Sequence, residues 1–164
     1  AYEVAPWADV LYACDFRWWK HHYEEVKRTC SSELWTVDKT AVKTYDINFV
    51  EGEPGVGLTD EPPIRHGSNS GYQAVNLVYW FGATRIILIG YDMGSFDGRT
   101  HFFGDHPEGL QVLSPWKNFI KAFMSINPSE YGIEIINCTT ETNLRCFPQM
   151  SLKEALSEKS CSAR

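Results

Sequence analysis

The 164-residue sequence predicts an α/β fold, a Rossmann-like three-layer sandwich with a mostly parallel sheet. Two observations predict it. Short apolar runs without strict alternation suit strands buried on both faces. Segments with helical spacing separate those runs, and strands alternating with helices build right-handed parallel sheets. The length allows one full core, placed at residues 8–157, with 158–164 read as a flexible tail.

The first run is Asp9-Val10-Leu11-Tyr12-Ala13-Cys14-Asp15, a strand ending in an acid. Residues 16–29 follow as a helix, with Trp18, Trp19, Tyr23 and Val26 at mostly helical spacing and Glu24 and Arg28 as an i,i+4 pair. Glu33 to Val37 reads as a second strand, residues 39–45 as a weak helix or loop, and Ile47 to Val50 as a third strand. Residues 51–67 then carry four Gly and three Pro, which predicts a long loop.

From Asn69 to Phe81 the pattern is helical, with Ser68 or Ser70 as N-cap and Gly82 as the stop. Arg85 to Asp92 is the clearest strand, with Ile86, Ile87, Leu88 and Ile89 in succession. A second long loop covers 93–113. A helix at about 116–125, a strand at Ile133 to Asn137 and a short helix at about 151–157 complete the order.

The formal net charge of −6 disfavours binding to nucleic acid or anionic membranes, because both need a basic face. No apolar run reaches the roughly 18 residues of a membrane span, and no signal peptide is visible. Five Cys without zinc-type spacing predict free thiols and a reducing, cytoplasmic setting. Cys14 lies in an apolar run and reads as a small buried hydrophobe. Asn137-Cys138-Thr139 fits a glycosylation sequon, which has no meaning in the cytosol.

Ligands of parallel sheets bind beyond the carboxyl ends of the strands, so those ends direct the search. Asp15, Asp92 and Asn137-Cys138-Thr139 stand there, either in a crevice or as simple turn caps. His66-Gly67-Ser68-Asn69-Ser70-Gly71 opens a helix, whose first amides attract phosphate or carboxylate. No Lys follows, so this is no Walker loop, and an ordinary capped helix start is the alternative. Beyond Asp92, His101 and His106 lie near Asp97, Arg99 and Asp105. One His could act as general base with Asp92 as orienter, and Arg99 could neutralise a leaving phosphate. His101, Asp105 and His106 also offer metal ligands, but their spacing fits no standard zinc pattern and no metal is assigned.

Gly67-Ser68-Asn69-Ser70-Gly71, the apolar helix and Gly82 to Asp92 together resemble the motility accessory factor and 6-hydroxymethylpterin diphosphokinase-like proteins. Asp97-Gly98-Arg99-Thr100-His101 extends the likeness to the motility accessory factors, and the layout is similar to the Campylobacter-type bacterial sialyltransferases. The resemblance covers roughly residues 8–156, its specific part being 66–106, and implies a phage or prophage member in a bacterial or phage-infected host. It implies a nucleotide-binding transferase that uses a CMP-sugar-like donor. Ser68, Asn69, Ser70, Gly71, Asp15 and Arg99 would bind it, and His101 or His106 would act on the acceptor hydroxyl. These families carry a Gly-x-Gly-Pro-Ser-like loop on the nucleotide phosphates. None precedes Asp9 here, so the first βα unit is cut off or lost. The sialyltransferases place Tyr just after Gly-x-Asp to assist the leaving phosphate; here only Tyr91 and Tyr12 could take that part.

Three functions follow as expectations. The first is a metal-independent glycosyltransferase. The second is a magnesium-dependent diphosphokinase with Asp15 and Asp92 as metal carboxylates. The third is a non-catalytic phage assembly or interaction protein with a degenerate site. The acceptor and the oligomeric state are not readable from these residues.

Overall fold

The computed structural model describes residues 2–95 and 115–157. Helices alternate with short strands, and every strand pairing among the described residues is parallel, so the class is α/β. Strand β1 (Val10–Tyr12) pairs with β2 (Glu33–Thr36), and β2 pairs with β3 (Asn48–Phe49). A second ladder joins β4 (Gly52–Glu53) to β5 (Ile64–Arg65). A third joins β6 (Arg85–Leu88) to β7 (Glu134–Asn137), with Arg85 Nε 2.6 Å from Glu134 Oε2 at its start. The described strands thus form three ladders, not one continuous sheet.

Helix α1 (Phe16–Thr29) follows β1 and buries Trp19 and Val26 completely. The Trp19 indole donates to Ala13 O at 2.9 Å, which satisfies its N–H inside the core. Helix α2 (Lys39–Thr44) starts because the Asp38 carboxylate accepts from Thr40 N at 2.7 Å and Ala41 N at 2.9 Å. Both helices share a core with Leu11, Ala13 and Leu34. The alternate residues Val10, Tyr12 and Trp35 pack with Ile64 and Leu77 in a second cluster.

Helix α3 (Ser70–Trp80) lies between the ladders. Leu77 and Trp80 belong to the cluster with β1 and β2. Tyr72 and Val75 belong to the largest core, with Ile86, Leu88, Ile135 and Phe123 of helix α4 (Trp116–Phe123). Gly82 at φ +87° ends the helix region, as its sequence position predicts. A 3-10 turn at Pro128–Tyr131 leads into β7, and helix α5 (Leu152–Ser157) closes the described chain.

Several boundaries differ from the sequence expectation. The strands are shorter, because Cys14, Ile89 and Val37 leave their ladders. The expected loop 51–67 contains β4 and β5, which the density of Gly and Pro concealed. A buried amide explains how such a loop stays ordered. Asn76 is fully buried, and its Oδ1 accepts from Arg65 N at 2.8 Å while its Nδ2 donates to Thr59 O at 2.8 Å. The tail 158–164 and most of the loop 93–113 lie outside the described residues.

Candidate functional site

Strand β5 runs straight into a tight turn. Gly67 and Ser68 both have positive φ, +50° and +67°, and Asn69 N donates to His66 O at 3.2 Å. Two left-handed central residues are the mark of a type I′ turn. Glycine is required at the first, because a Cβ on Gly67 would collide with the Tyr72 ring. Ser68 is exposed and adopts a conformation that costs an L-residue about 1–2 kcal/mol.

The N-cap of α3 is Asn69, neither Ser68 nor Ser70. Its backbone is extended, and its Oδ1 accepts from Tyr72 N at 2.8 Å. The left-handed turn puts Ser68 outside the capping position, and Ser70 is already helical. The amides of Ser70 and Gly71 have no partner among the described residues.

Two strand ends meet this first turn from different ladders. Beyond β1, Cys14 Sγ lies 3.0 Å from Ser70 Oγ. Beyond β6, the Tyr91 hydroxyl donates to Gly71 O at 3.1 Å. The Tyr91 ring lies so close that a Cβ on Gly71 would sit 3.0 Å from its Cε1. Thr139, beyond β7, accepts from Tyr91 N at 2.9 Å, and the Thr142 hydroxyl donates to Tyr91 O at 2.6 Å. The carboxyl ends of β1, β5, β6 and β7 are therefore linked around the start of α3.

Asp15 follows Cys14, is exposed and makes no side-chain cap bond, although its carbonyl accepts from Trp18 N at 3.1 Å. Its carboxylate accepts weakly from Cys14 Sγ at 3.5 Å. Asp92 follows Tyr91 and is part-buried, and its carbonyl accepts from Asn143 N at 2.8 Å. Among the described residues no three His, Cys, Asp or Glu side chains come together as metal ligands. His101, His106 and Arg99, with Asp97 and Asp105, lie outside the described residues.

Burial favours the neutral forms of Cys14, Tyr91 and Tyr12. Burial pushes the Cys14 thiol up to about 11, against a smaller opposite pull from its Ser70 hydrogen bond. Burial alone pushes Tyr91 up to about 12. Tyr12 is raised further, again mainly by burial, and its hydroxyl is taken by Gln73 Oε1. Both tyrosine hydroxyls donate to protein acceptors, Tyr12 to Gln73 Oε1 and Tyr91 to Gly71 O. Cys14 is half-buried and hydrogen-bonded, more than the inert apolar filler its sequence context suggests.

Some of this constellation has no sequence signal. Thr142 sits in an unremarkable polar stretch and becomes legible only through its bond to Tyr91. Gln73 leaves a trace, as a polar residue in an otherwise apolar helix. It is 5% exposed and links Tyr12 to His66 O, to which its amide donates at 3.2 Å.

Comparison with known proteins does not extend the assignment: no family model, no curated protein and no solved structure matches this chain. No described helix is long and apolar enough to cross a membrane. The protein is of the α/β class, with parallel strands whose carboxyl ends gather at one helix start.

Proposed function

We propose that the start of α3 binds the phosphate of a nucleotide within a Rossmann-like, three-layer arrangement, and that the chain is a nucleotide-sugar-dependent transferase. The observation carrying the binding half is the junction at Ser70 and Gly71. Two amides without partners among the described residues lie in the helix turn that the ends of β1 and β6 reach, and a helix start carries about half a positive charge. Ligands of parallel α/β sheets bind beyond strand carboxyl ends, which is where this junction lies.

The transfer half rests on the likeness of residues 66–106 to the sialyltransferase-like layout. In this reading Ser68, Ser70 and Gly71 contact the donor phosphate and ribose, while Asn69 holds the helix start in shape. Asp92 orients His101 or His106, which takes the proton of an acceptor hydroxyl. Arg99 balances the charge on the departing nucleotide. The donor is CMP-sugar-like, and the setting is the cytoplasm of a bacterial or phage-infected cell.

Thermal shift measurements test the reading. CMP or CTP is expected to raise Tm equally in EDTA and in magnesium. A rise with ATP only in magnesium would replace it by the diphosphokinase reading, with Asp15 and Asp92 as metal carboxylates. No shift with any nucleotide at millimolar concentration would leave a non-catalytic interaction module.

A further inference from the structure

We infer that the loop after β7, residues 139–143, is the positioning element of the site: Thr142 and Asn143 hold the chain beyond β6 in a strained turn and thereby set both Asp92 and the start of α3. The inference deepens the reading above and rests on it for the identity of the ligand.

Consecutive peptide groups beyond β6 are all held by this one loop. Tyr91 N donates to Thr139 Oγ1 at 2.9 Å, and Tyr91 O accepts from the Thr142 hydroxyl at 2.6 Å. Asp92 O accepts from Asn143 N at 2.8 Å, and Met93 O accepts from Asn143 Nδ2 at 3.3 Å. Asn143 therefore grips the peptide on each side of Met93.

Met93 is the residue that needs the grip. Its φ is +51°, in the left-handed region, while its side chain is 7% exposed in the core with Tyr72 and Phe123. A long side chain rarely adopts that backbone, and such strain persists only where the surroundings fix it. Gly90, at φ +77°, meets the same demand with a residue suited to it. At Met93 the bonds from Asn143 take the place of that freedom.

The loop can hold a strained neighbour because it is built around a buried amide. Asn137 ends β7 and is fully buried. Its Oδ1 accepts from Thr139 N at 3.0 Å, and its Nδ2 donates to Leu144 O at 2.9 Å and lies 3.4 Å from Thr142 Oγ1. Thr142 Oγ1 also accepts from Leu144 N at 2.9 Å. A buried polar network satisfied in this way specifies one geometry. The same bonds occupy the amide of the Asn137-Cys138-Thr139 sequon, so that motif serves the loop and not a glycan.

The grip reaches α3 through one side chain, because the Tyr91 hydroxyl donates to Gly71 O at 3.1 Å. Thr142 thus acts on Gly71 through Tyr91, and Asn143 acts on Asp92 through the Asp92 carbonyl.

NMR of the folded chain, with and without CMP, tests this. In the parent protein Met93 is expected to give the strong intraresidue HN–Hα NOE of a left-handed residue. Asn143→Ala changes an exposed side chain. It is expected to keep a cooperative melt, to lose much of the Met93 NOE and to shift the Gly71 amide. It is also expected to weaken CMP binding by about 10-fold, within the range for a residue coupled to a ligand that it does not touch. Thr142→Val is expected to act in the same direction, and Thr142→Ser, which keeps the hydroxyl, to restore the parent values. An unchanged Met93 NOE in Asn143→Ala, or an unchanged CMP affinity once that NOE is lost, would overturn the proposal. So would a Thr142→Ser variant as impaired as Thr142→Val. Should Thr142→Val not fold, Asn143→Ala decides. Should the parent protein not bind CMP, the phosphate reading falls, while the Met93 NOE and the Gly71 amide in Asn143→Ala still decide the grip.

Discussion

The Tyr91 hydroxyl donates to the carbonyl of Gly71 over 3.1 Å, and that bond fastens the end of β6 to the first turn of α3. Tyr91 is itself gripped at both main-chain polar atoms, by Thr139 and Thr142. The site is therefore held from residues far apart in sequence. Tyr91→Phe keeps the ring and removes the donor. It is expected to cost about 0.5–1.5 kcal/mol, the usual net worth of one such bond. Urea unfolding with an unchanged m-value would check this, and full stability in the variant would deny the bond its role.

The turn before α3 gives opposite signs at neighbouring positions. Gly67→Ala places a methyl group into the Tyr72 ring at positive φ and should destabilise by about 3 kcal/mol, combining backbone and overpacking costs. Ser68→Gly removes a left-handed L-residue and should stabilise by about 0.5–1 kcal/mol. Chemical unfolding of the two variants reads both signs. A stabilised Gly67→Ala would refute the described turn.

Capping separates Asn69 from its serine neighbours. Asn69→Ala should lose about 0.5–2 kcal/mol, and Asn69→Asp should retain most of it. Ser68→Ala should change little. If Ser68→Ala and Asn69→Ala cost the same, the cap is misassigned.

Alkaline pH should loosen the fold. Cys14 and Tyr91 have folded values raised above their ordinary 9.0 and 10.0. Each then contributes stability that is whole below its ordinary value and lost as pH rises through the raised one. The window runs from about 9 to about 11 for Cys14 and from 10 to about 12 for Tyr91. Cys14→Ser should remove the lower part of the decline, as seen in Tm measured against pH. A Tm that is flat from pH 8 to 11 in the parent protein would contradict this burial.

The helices were the most legible part of the sequence. Residues 16–29 match α1 to the residue, because Trp19 and Val26 mark its buried stripe. Strands were found but drawn too long, since apolar runs continue past the last ladder bond, as at Ile89. β4 and β5 were invisible, because two-residue strands held by Asn76 carry no periodicity. Local spacing located the turn before α3. The partners of Gly71 and Ser70 could not be read, because Tyr91 and Cys14 reach them only through the folding of separate ladders. The capping error has a local cause: backbone sign at Ser68, which composition does not reveal.

In the proposed function the Ser70 and Gly71 amides receive a nucleotide phosphate. Amide chemical-shift mapping during titration of the folded chain with CMP, in EDTA, tests it most directly. Saturable shifts centred on residues 68–71 and on Asp15 and Asp92 are expected. Shifts confined to other parts of the molecule, or none at millimolar CMP, would contradict it.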